Sequence, residues 1–499
     1  MSKGVGFGVW ENPECKYLIG HDIMATATLT DGSTVEYIPE PIGEGVMKQV
    51  YFTADKSSVI CFYKDQNAGS DPNRMARLEK ILDGYNPTIA QNGDYFKQLF
   101  CWPTGIVVQP QLGFIAPTYP NNYFFATGNL AGKEKESTWF VRPKLRQMLP
   151  KAERGVWINY FQTCIRLARA VRRLHQAGLA HSDLSNKNVL IDPTSGQCVV
   201  IDIDSLVVPG LFPPDVLGTR GYIAPEVLST LHLPLDDRKR QHPSARTDQH
   251  ALAVLLYQYL LGRHPLEGPK TYPAASAEEQ ERLEMGSKAL FIEHPTDASN
   301  RPHDLQLSST ALGPYLSDLF HRAFIQGLHF PHERPAAIEW ERGLIKTWDL
   351  LFPCKNKYCP SHWSILHDPA HLNCPFCGSK PKGSLPILRL RSERRPGQWT
   401  FDGQLVVYHN LTLFKWHAFD NVFPGEEADK TPQAYCVFFE GKWLLINQNL
   451  TSLTSPTGNQ VAPSPQPGQA GQAIELKEGI QFRLSLEPYG RMVEVQMIN

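Results

Sequence analysis

Two short segments carry side chains that could move a phosphoryl group: residues 181–188 (HSDLSNKN) and residues 201–204 (IDID). Asp183 is a candidate general base, and Asn188 and Asp202 are candidate magnesium ligands. Transfer of the γ-phosphoryl group of ATP needs a carboxylate that accepts the proton of the acceptor hydroxyl, and oxygen ligands that hold Mg²⁺ on the triphosphate. These residue types at this spacing therefore indicate phosphoryl transfer from ATP.

The chain between the two segments predicts a hairpin. Residues 189–191 (VLI) and 198–201 (CVVI) have the pattern of short buried strands, and the turn DPTSG separates them. A lone H-x-D is usually a turn with a capping Asp, and D-x-D is often a solvated loop. A hairpin would instead bring both carboxylates into one cleft, so the pair is more informative than either segment alone.

The pattern H-x-D-L-x-x-x-N, followed by an apolar strand and an Asp, resembles the catalytic loop and metal-binding turn of eukaryotic-type serine/threonine protein kinases. This resemblance implies a two-lobed α+β kinase fold, ATP with Mg²⁺ or Mn²⁺ as cofactors, and a protein substrate. The run GTRGYIAPE at residues 218–226 is similar to the end of the substrate-binding segment in that family. It implies a buried ion pair between Glu226 and Arg334, and it implies that Asp248 holds the backbone of the catalytic loop.

The upstream segment IGEGVMKQVY, residues 42–51, resembles a kinase glycine-rich loop. Gly43 and Gly45 would let the backbone close over phosphates without a Cβ in the way, and Val50 would contact the same nucleotide. A single G-x-G is weak evidence by itself. The interpretation therefore depends on the motifs downstream.

Lys64 ends the predicted strand at residues 58–64, where the resemblance places the lysine that grips the α- and β-phosphates. Glu79, in a predicted helix over residues 73–82, is its candidate partner. Only its distance along the chain favours Glu79. The alternatives are an exposed lysine at a strand end and a surface glutamate.

Composition is that of a large globular protein. The chain has 499 residues, of which 42% are hydrophobic, enough for about three domains. Its formal net charge of -1 gives no electrostatic reason to expect nucleic acid or an anionic membrane as a partner. The start methionine precedes no apolar run, and the apolar residues 251–261 are too few to cross a bilayer, so the prediction is a cytoplasmic protein.

Domain boundaries follow from the motifs. The predicted order is an N-terminal extension (1–35) with a strand at residues 26–37, a kinase domain (36–350, small lobe to about 120), a zinc ribbon (351–384) and a β-sandwich-like domain (385–499). In the large lobe, apolar residues recur at helical spacing between Trp157 and Leu174. This stripe predicts a long amphipathic helix that leads to the catalytic loop.

Four cysteines have the spacing of a metal site: Cys354, Cys359, Cys374 and Cys377. Two pairs on tight turns suit tetrahedral Zn²⁺, and four thiolates leave no open position for a substrate, so the zinc would be structural. The gap between the pairs would supply a small hairpin. A redox C-x-x-C or idle thiols are the alternatives. Three histidines in the gap are further candidate ligands: His362, His367 and His371.

Six short strand-like runs follow and predict a small β-sandwich. They lie at residues 386–390, 404–409, 435–439, 443–447, 473–476 and 481–486, with a flexible loop at residues 460–472. The domain has a distant similarity to forkhead-associated domains, which bind phosphothreonine peptides, but it lacks their Gly-Arg and Ser-x-x-His signatures. A divergent interaction module is therefore expected.

The order of kinase, zinc ribbon and β-domain is similar to that of bacterial serine/threonine kinases encoded beside a von Willebrand A-domain protein and a metal-dependent protein phosphatase. Those systems are related to tellurite resistance. The similarity implies a role in bacterial signalling or stress, with these two proteins as candidate partners.

Three substitutions fall within the expected nucleotide site. Lys48 replaces the third glycine of the phosphate loop, Asp204 replaces the glycine after the metal-binding Asp, and Ser185 replaces a lysine that Lys187 could supply. Asp204 could be a stiffer turn residue or an added carboxylate that shifts metal preference toward Mn²⁺.

Two other classes of function remain open. A pseudokinase scaffold would bind ATP and present the β-domain to partners, but it would have no chemical need for Asp183, Asn188, Asp202 and Lys64 together. A pure phosphopeptide-binding protein would be favoured if the segment from Pro386 onward bound phosphothreonine peptides tightly.

Control by activation-loop phosphorylation is not expected. Ser182 occupies the place of the arginine that binds a phosphorylated loop, and Ser205 is the only hydroxyl side chain between Asp202 and Gly218. The protein should be constitutively competent or regulated by its C-terminal modules. Mass spectrometry of active protein should find no stoichiometric phosphate at residues 205–217, and an activating phosphate there would contradict this prediction.

Overall fold

The computed structural model describes residues 24–45, 47–64, 72–211, 218–464 and 471–499. The chain divides into two compact units, Met1–Ser309 with Asp318–Glu341, and Thr310–Ser317 with Arg342–Asn499. Parts of four predicted segments lie outside the described residues: 1–23 of the extension, 46 of the glycine-rich loop, 212–217 before Gly218, and 465–470 of the C-terminal loop.

The first unit begins with an antiparallel sheet. Its strands are β1 (Ala25–Leu29), β2 (Thr34–Tyr37), β3 (Gly43–Glu44), β4 (Lys48–Phe52), β5 (Ser58–Tyr63), β6 (Gly105–Gln109) and β7 (Gly113–Pro117). The spatial order is β2-β1-β6-β7-β5-β4-β3. The single strand predicted at residues 26–37 is thus a hairpin of two strands. The domain boundary predicted at residue 35 falls inside β2, which belongs to this sheet.

Alternation along β5 sorts its side chains onto two faces, since successive residues of a strand point in opposite directions. Val59, Cys61 and Tyr63 join one apolar cluster with Val50 of β4. Ile60 and Phe62 join a second cluster that includes Tyr37 and Val107. The first face is the one that meets the site described below.

The α-helices within the described residues are α1 (Pro72–Leu82), α2 (Gly93–Lys97), α3 (Pro143–Met148), α4 (Trp157–Gln176), α5 (Pro225–Thr230), α6 (Ala245–Leu261), α7 (Ala277–Glu281), α8 (Gly313–His321), α9 (Gly327–His329), α10 (Ala337–Trp348) and α11 (Lys415–Ala418). The predicted helix at residues 73–82 matches α1, and the apolar stripe from Trp157 matches α4.

Helix α6 is buried along nearly its whole length, as its apolar sequence predicts. Ser244 caps its start by accepting a hydrogen bond from the Arg246 N–H, and Gly262 ends it with φ of 71°, a left-handed conformation that favours glycine. The helix packs on α4. Together the two helices form the base on which residues 181–188 lie.

The second unit contains two antiparallel four-stranded sheets besides a small pair of strands. The pair is β10 (Leu351–Pro353) and β11 (Trp363–Ile365). One sheet has the order β13-β12-β19-β18 and the other the order β14-β15-β16-β17. Their strands are β12 (Leu385–Arg395), β13 (Gln398–Val406), β14 (Leu411–Leu413), β15 (Ala434–Phe439), β16 (Lys442–Asn447), β17 (Ala473–Glu475), β18 (Gln481–Arg483) and β19 (Met492–Ile498).

Both sheets contribute to one apolar core, which includes Leu388, Val493, Cys436 and Leu445. The six predicted strand runs coincide with β12, β13, β15, β16, β17 and β18, with shifted ends. Strands β14 and β19 were not predicted from the sequence. The predicted α+β class, with C-terminal β-sheets after a helix-rich region, is confirmed.

Among the described helices, none combines the length and the apolar character that spanning a membrane requires.

Candidate active site and candidate metal centre

The Asp183 carboxylate is held by three donor groups. The Thr219 N–H donates to its Oδ1 at 2.8 Å, and the Thr219 hydroxyl donates to Oδ2 at 3.0 Å. The Asn188 amide nitrogen donates to Oδ2 at 3.2 Å and to the Asp183 carbonyl at 2.8 Å. Burial raises the pKa of Asp183, while the charge of His181 and the bonds from Thr219 oppose that shift. A raised pKa suits a carboxylate that must accept a proton.

Asp248 ties the loop of residues 181–188 to helices α4 and α6. This carboxylate accepts a hydrogen bond from the His181 backbone N–H at 2.7 Å, and His175 Nε2 lies 3.0 Å from the same oxygen. His181 Nε2 in turn lies 2.9 Å from the Ile201 carbonyl oxygen. Since Ile201 immediately precedes Asp202, His181 links the loop that carries Asp183 to the turn that carries Asp202.

The predicted hairpin supplies the second link. Its strands are β8 (Val189–Asp192) and β9 (Gln197–Val200), and they pair with Val189 opposite Val200. The Ile201 N–H donates to the Asn188 carbonyl at 3.0 Å. These contacts bring Asp183, Asn188 and Asp202 to one end of the hairpin.

Asp202 has φ of 59° and ψ of 40°, a left-handed conformation that is uncommon outside glycine and asparagine-like residues. Its side chain is 43% exposed, and this leaves room for a ligand. Asn188 uses its amide nitrogen on Asp183, so its Oδ1 is the atom left for a cation. Carboxylate and amide oxygens are ligands that Mg²⁺ accepts, so the two residues fit the expected metal.

The ammonium group that reaches this turn belongs to Lys48. Its Nζ lies 3.0 Å from Asp202 Oδ1 and 2.7 Å from Asp204 Oδ1, and it also lies over the Phe114 ring at 5.3 Å. Burial alone would lower the pKa of Lys48, but the two carboxylates raise it above its usual value. Lys48 likewise lowers the pKa of Asp202 against the effect of burial.

Lys64, predicted to grip the phosphates, lies elsewhere in the structure. Its Nζ contacts the exposed Glu44 carboxylate at 2.5 Å, and its own side chain is 29% exposed. Glu79 is exposed on α1, while its neighbour Leu78 packs into the apolar cluster. The structure therefore does not bring Lys64 to Glu79 or to Asp202. The reason is strand alternation, because Cys61 and Tyr63 face the site and Lys64 follows on the opposite side.

A sequence signal for Lys48 existed. Lys48 and Val50 lie two residues apart on β4 and so share one face, and Val50 was already expected to contact the nucleotide. Asp204 was expected to be either a stiffer turn residue or an added carboxylate for the metal. In the structure its two oxygens accept hydrogen bonds from Lys48 and from the Tyr63 hydroxyl, at 2.7 and 3.0 Å.

The glycine-rich segment forms a tight hairpin. Gly43 of β3 pairs with Val50 of β4, and the Gly45 N–H donates to the Lys48 carbonyl at 2.9 Å. These contacts hold Gly45 beside the start of β4, the strand that carries Lys48. Val50, two residues further along β4, is buried.

The other residues that depart from the family pattern, Ser185 and Ser182, make hydrogen bonds within the site. Ser185 is buried, and its hydroxyl accepts a hydrogen bond from the Lys187 N–H at 3.4 Å. The Ser182 hydroxyl donates to Ser205 Oγ at 3.2 Å, and Ser205 donates to the Asp202 carbonyl at 3.2 Å. Ser205 is thus engaged with the metal-binding turn.

The ion pair expected after the GTRGYIAPE run is present. Arg334 donates from its two terminal nitrogens to both oxygens of Glu226, at 2.8 and 2.7 Å. Two parallel bonds of this kind are stronger and more specific than one. Arg334 also donates to the Arg246 carbonyl at 2.9 Å, and so ties α5 to the start of α6.

The four cysteines converge in the second unit. Their sulfur atoms all lie within 4.8 Å of one another, with Cys354 and Cys377 3.6 Å apart and Cys359 and Cys374 3.7 Å apart. These separations are too long for disulfides, whose S–S bond is about 2.05 Å. Four thiols at this spacing could hold one metal ion.

The surroundings differ from the prediction in two respects. Strand β11 lies in the gap between the cysteine pairs, but its partner β10 precedes Cys354, so the hairpin encloses the first pair instead of lying between the pairs. The histidine candidates are not part of the group: over the described residues the cluster of metal-ligating atoms contains the four cysteines alone. His371 instead lies 2.6 Å from Asp368 and is exposed.

Residues 155–321 match the family model of the protein kinase domain. With the sheet and helices described above, this match shows a protein kinase fold. CBL-interacting protein kinase 16 of Oryza sativa is 36% identical over 114 residues, which are 22% of this chain and 22% of the relative. A probable serine/threonine-protein kinase of Corynebacterium efficiens is 29% identical over 142 residues, 27% of this chain and 20% of the relative.

The chain thus spans about a fifth of the length of these curated relatives. A solved kinase domain of a rhoptry antigen from Toxoplasma gondii aligns with 65% of this chain and 86% of that chain, at 12% identity and a TM-score of 0.39.

The purified protein should contain about one zinc ion per chain, measured by inductively coupled plasma mass spectrometry. Cys359→Ser should lose that zinc and lower the unfolding temperature, because metal binding contributes to folding. His371→Ala, in the same segment but outside the cysteine group, is the matched control and should retain the metal. Wild-type protein free of zinc, or a Cys359→Ser variant with full occupancy, would contradict the assignment.

Proposed function

We propose that this chain is an ATP-dependent protein kinase that transfers the γ-phosphoryl group to Ser or Thr hydroxyls of protein substrates. The observation that carries the proposal is the grouping of Asp183, Asn188 and Asp202 at one end of the β8–β9 hairpin, linked by His181. The match of residues 155–321 to the protein kinase domain supports the same conclusion.

Asp183 would accept the proton of the substrate hydroxyl. Its two oxygens are already oriented by Thr219 and Asn188, so the carboxylate does not need to reorganise during the reaction. Asn188 Oδ1 and Asp202 would hold Mg²⁺, which neutralises charge on the phosphates when bound. The half-exposed Asp202 can exchange its contact with Lys48 for such a ligand.

An apolar cluster at the β8–β9 hairpin would form the floor for the adenine base. Leu190 and Ile201, on either side of the hairpin, cluster with Tyr123 and Val199, and Cys101 and Tyr119 pack against them. Apolar walls next to a few convergent polar groups are typical of nucleotide-sized sites.

A preference for Ser and Thr is supported by the Gly218-Thr219 sequence and by relatives whose names describe serine/threonine kinases. The cysteine cluster and the C-terminal β-sheets follow the kinase domain in the order found in the bacterial systems named above. On this basis we propose a bacterial signalling or stress role, with a structural zinc site and with a von Willebrand A-domain protein and a phosphatase as partners.

Asp183→Asn should reduce phosphate transfer by about 100-fold or more, because general-base catalysis typically contributes that much. The amide keeps the size of the carboxylate, so Mg·ATP affinity should change little. Transfer from radiolabelled ATP to casein measures the first, and isothermal titration calorimetry measures the second. Asp94→Asn, an exposed carboxylate on α2 of the same unit, is the matched control.

Full transfer activity in Asp183→Asn would exclude the role given to Asp183. Nucleotide binding with no transfer in the wild-type protein, under Mg²⁺ and Mn²⁺ alike, would instead favour the ATP-binding scaffold.

Activity should fall on the acid side as Asp183 becomes protonated, and the raised pKa moves this limb above the range of an ordinary aspartate. Thr219→Val removes a hydroxyl that lowers this pKa, so its acid limb should lie at higher pH than that of the wild type. The measurement is kcat/KM between about pH 5 and 8. An acid limb that moved to lower pH in Thr219→Val would contradict the account.

A further inference from the structure

We propose that Lys48 contacts the nucleotide phosphates in place of Lys64, and that Asp204 and Tyr63 orient it in place of a glutamate on helix α1. This inference rests on the proposed kinase function and names a further residue of the same site. It concerns three departures from the family pattern that otherwise stay unexplained: Lys48 in the glycine-rich loop, Asp204 after the metal-binding Asp, and the exposed Glu79.

Position is the first argument. Lys48 begins β4 directly after the turn that contains Gly45, and its ammonium group contacts the Asp202 carboxylate. If Asp202 binds the metal of a triphosphate, a cation that contacts Asp202 also lies next to that triphosphate. Lys64 cannot take this place in the described structure, because it lies on the other side of the sheet edge with Glu44.

Asp204 is the fixed partner of Lys48. Asp204 is 5% exposed, and its two oxygens accept from Lys48 and from the Tyr63 hydroxyl. Asp202, by contrast, is 43% exposed. The Lys48 ammonium can therefore exchange its contact with the accessible Asp202 for a contact with a ligand, and keep its contact with the buried Asp204. Asp204 thus serves as the permanent counter-ion of Lys48.

Helix α1 reaches this group by an indirect route. The Arg74 guanidinium lies over the Tyr63 ring at 4.5 Å, and Tyr63 binds Asp204, which binds Lys48. A cation over an aromatic face is stabilised by the ring's negative charge density. This series of contacts from Arg74 to Lys48 would therefore orient the lysine, the role that a direct lysine–glutamate pair has in the family pattern.

Cys61 lies on the same face of the sheet as the site. It is on β5 opposite Val50, two positions before Tyr63. Burial raises the pKa of its thiol to about 12, so the side chain is neutral and small. Cys61 therefore places a neutral side chain near the Lys48 ammonium on this face.

Lys48→Met should weaken Mg·ATP binding and lower kcat/KM for transfer by about 100-fold, the usual effect of removing a preorganised charge from a phosphoryl-transfer site. Lys64→Met, the matched control, should change each quantity by less than about threefold, as expected for an exposed ion pair. The reverse result, with Lys64→Met defective and Lys48→Met normal, would overturn the inference.

A second variant guards against loss of the fold, because Lys48→Met leaves Asp204 buried without its cation. The double variant Lys48→Met/Cys61→Lys returns an ammonium to the same space from β5. It should recover nucleotide affinity to within about tenfold of the wild type if the position of the charge is what matters. A folded double variant, judged by its unfolding temperature, that bound no nucleotide would count against the proposal.

Tyr63→Phe tests the positioning role. It should lower kcat about tenfold and leave the KM for the acceptor protein unchanged, whereas a purely structural residue would lower the unfolding temperature without this split. Unchanged kcat in Tyr63→Phe would remove Tyr63 from the proposal.

The kinase function and the role of Lys48 can fail independently of each other. If the wild-type protein transfers phosphate and Asp183→Asn does not, the kinase function holds whatever Lys48→Met shows. If the wild type transfers none, the nucleotide affinities of Lys48→Met and Lys64→Met still decide which lysine contacts the phosphates.

Discussion

Buried carboxylates determine how this site is built. A charged side chain removed from water costs several kcal/mol unless hydrogen bonds or an opposite charge compensate it. Asp248 is stabilised by the His181 backbone N–H and by His175. Asp183 is stabilised by Thr219 and Asn188. Asp204 is stabilised by Lys48 and the Tyr63 hydroxyl. Each set of partners joins segments that are distant in sequence. The need to satisfy three carboxylates thus fixes the catalytic loop, the metal-binding turn and the glycine-rich hairpin relative to one another.

Local patterns were sufficient where the chemistry lies within one segment. Three features could be predicted from the sequence: the spacing from Asp183 to Asn188, the β8–β9 hairpin and the apolar stripe of α4. Hydrophobic periodicity and turn residues specify them directly. The convergence of four cysteines was also readable, since two pairs on tight turns have few other uses. These features needed no knowledge of long-range packing.

The sequence alone does not decide between side chains from different strands that could occupy the same place. Whether Lys48 or Lys64 enters the site depends on which face of the sheet each one occupies, and that depends on the register between β4 and β5. Strand β19 was missed for a related reason. It is a central strand between β12 and β18, so its pairing depends on residues about a hundred positions away. The hairpin of β1 and β2 likewise joins its sheet through β6, far along the chain.

The most direct test is a crystal structure of the protein with a non-hydrolysable ATP analogue and Mn²⁺. The account predicts anomalous density for the metal between Asp202 and Asn188, the Lys48 ammonium on a phosphate oxygen, and an Asp183 carboxylate open to the acceptor side. A nucleotide bound away from this cleft, or a metal held without Asp202, would contradict it.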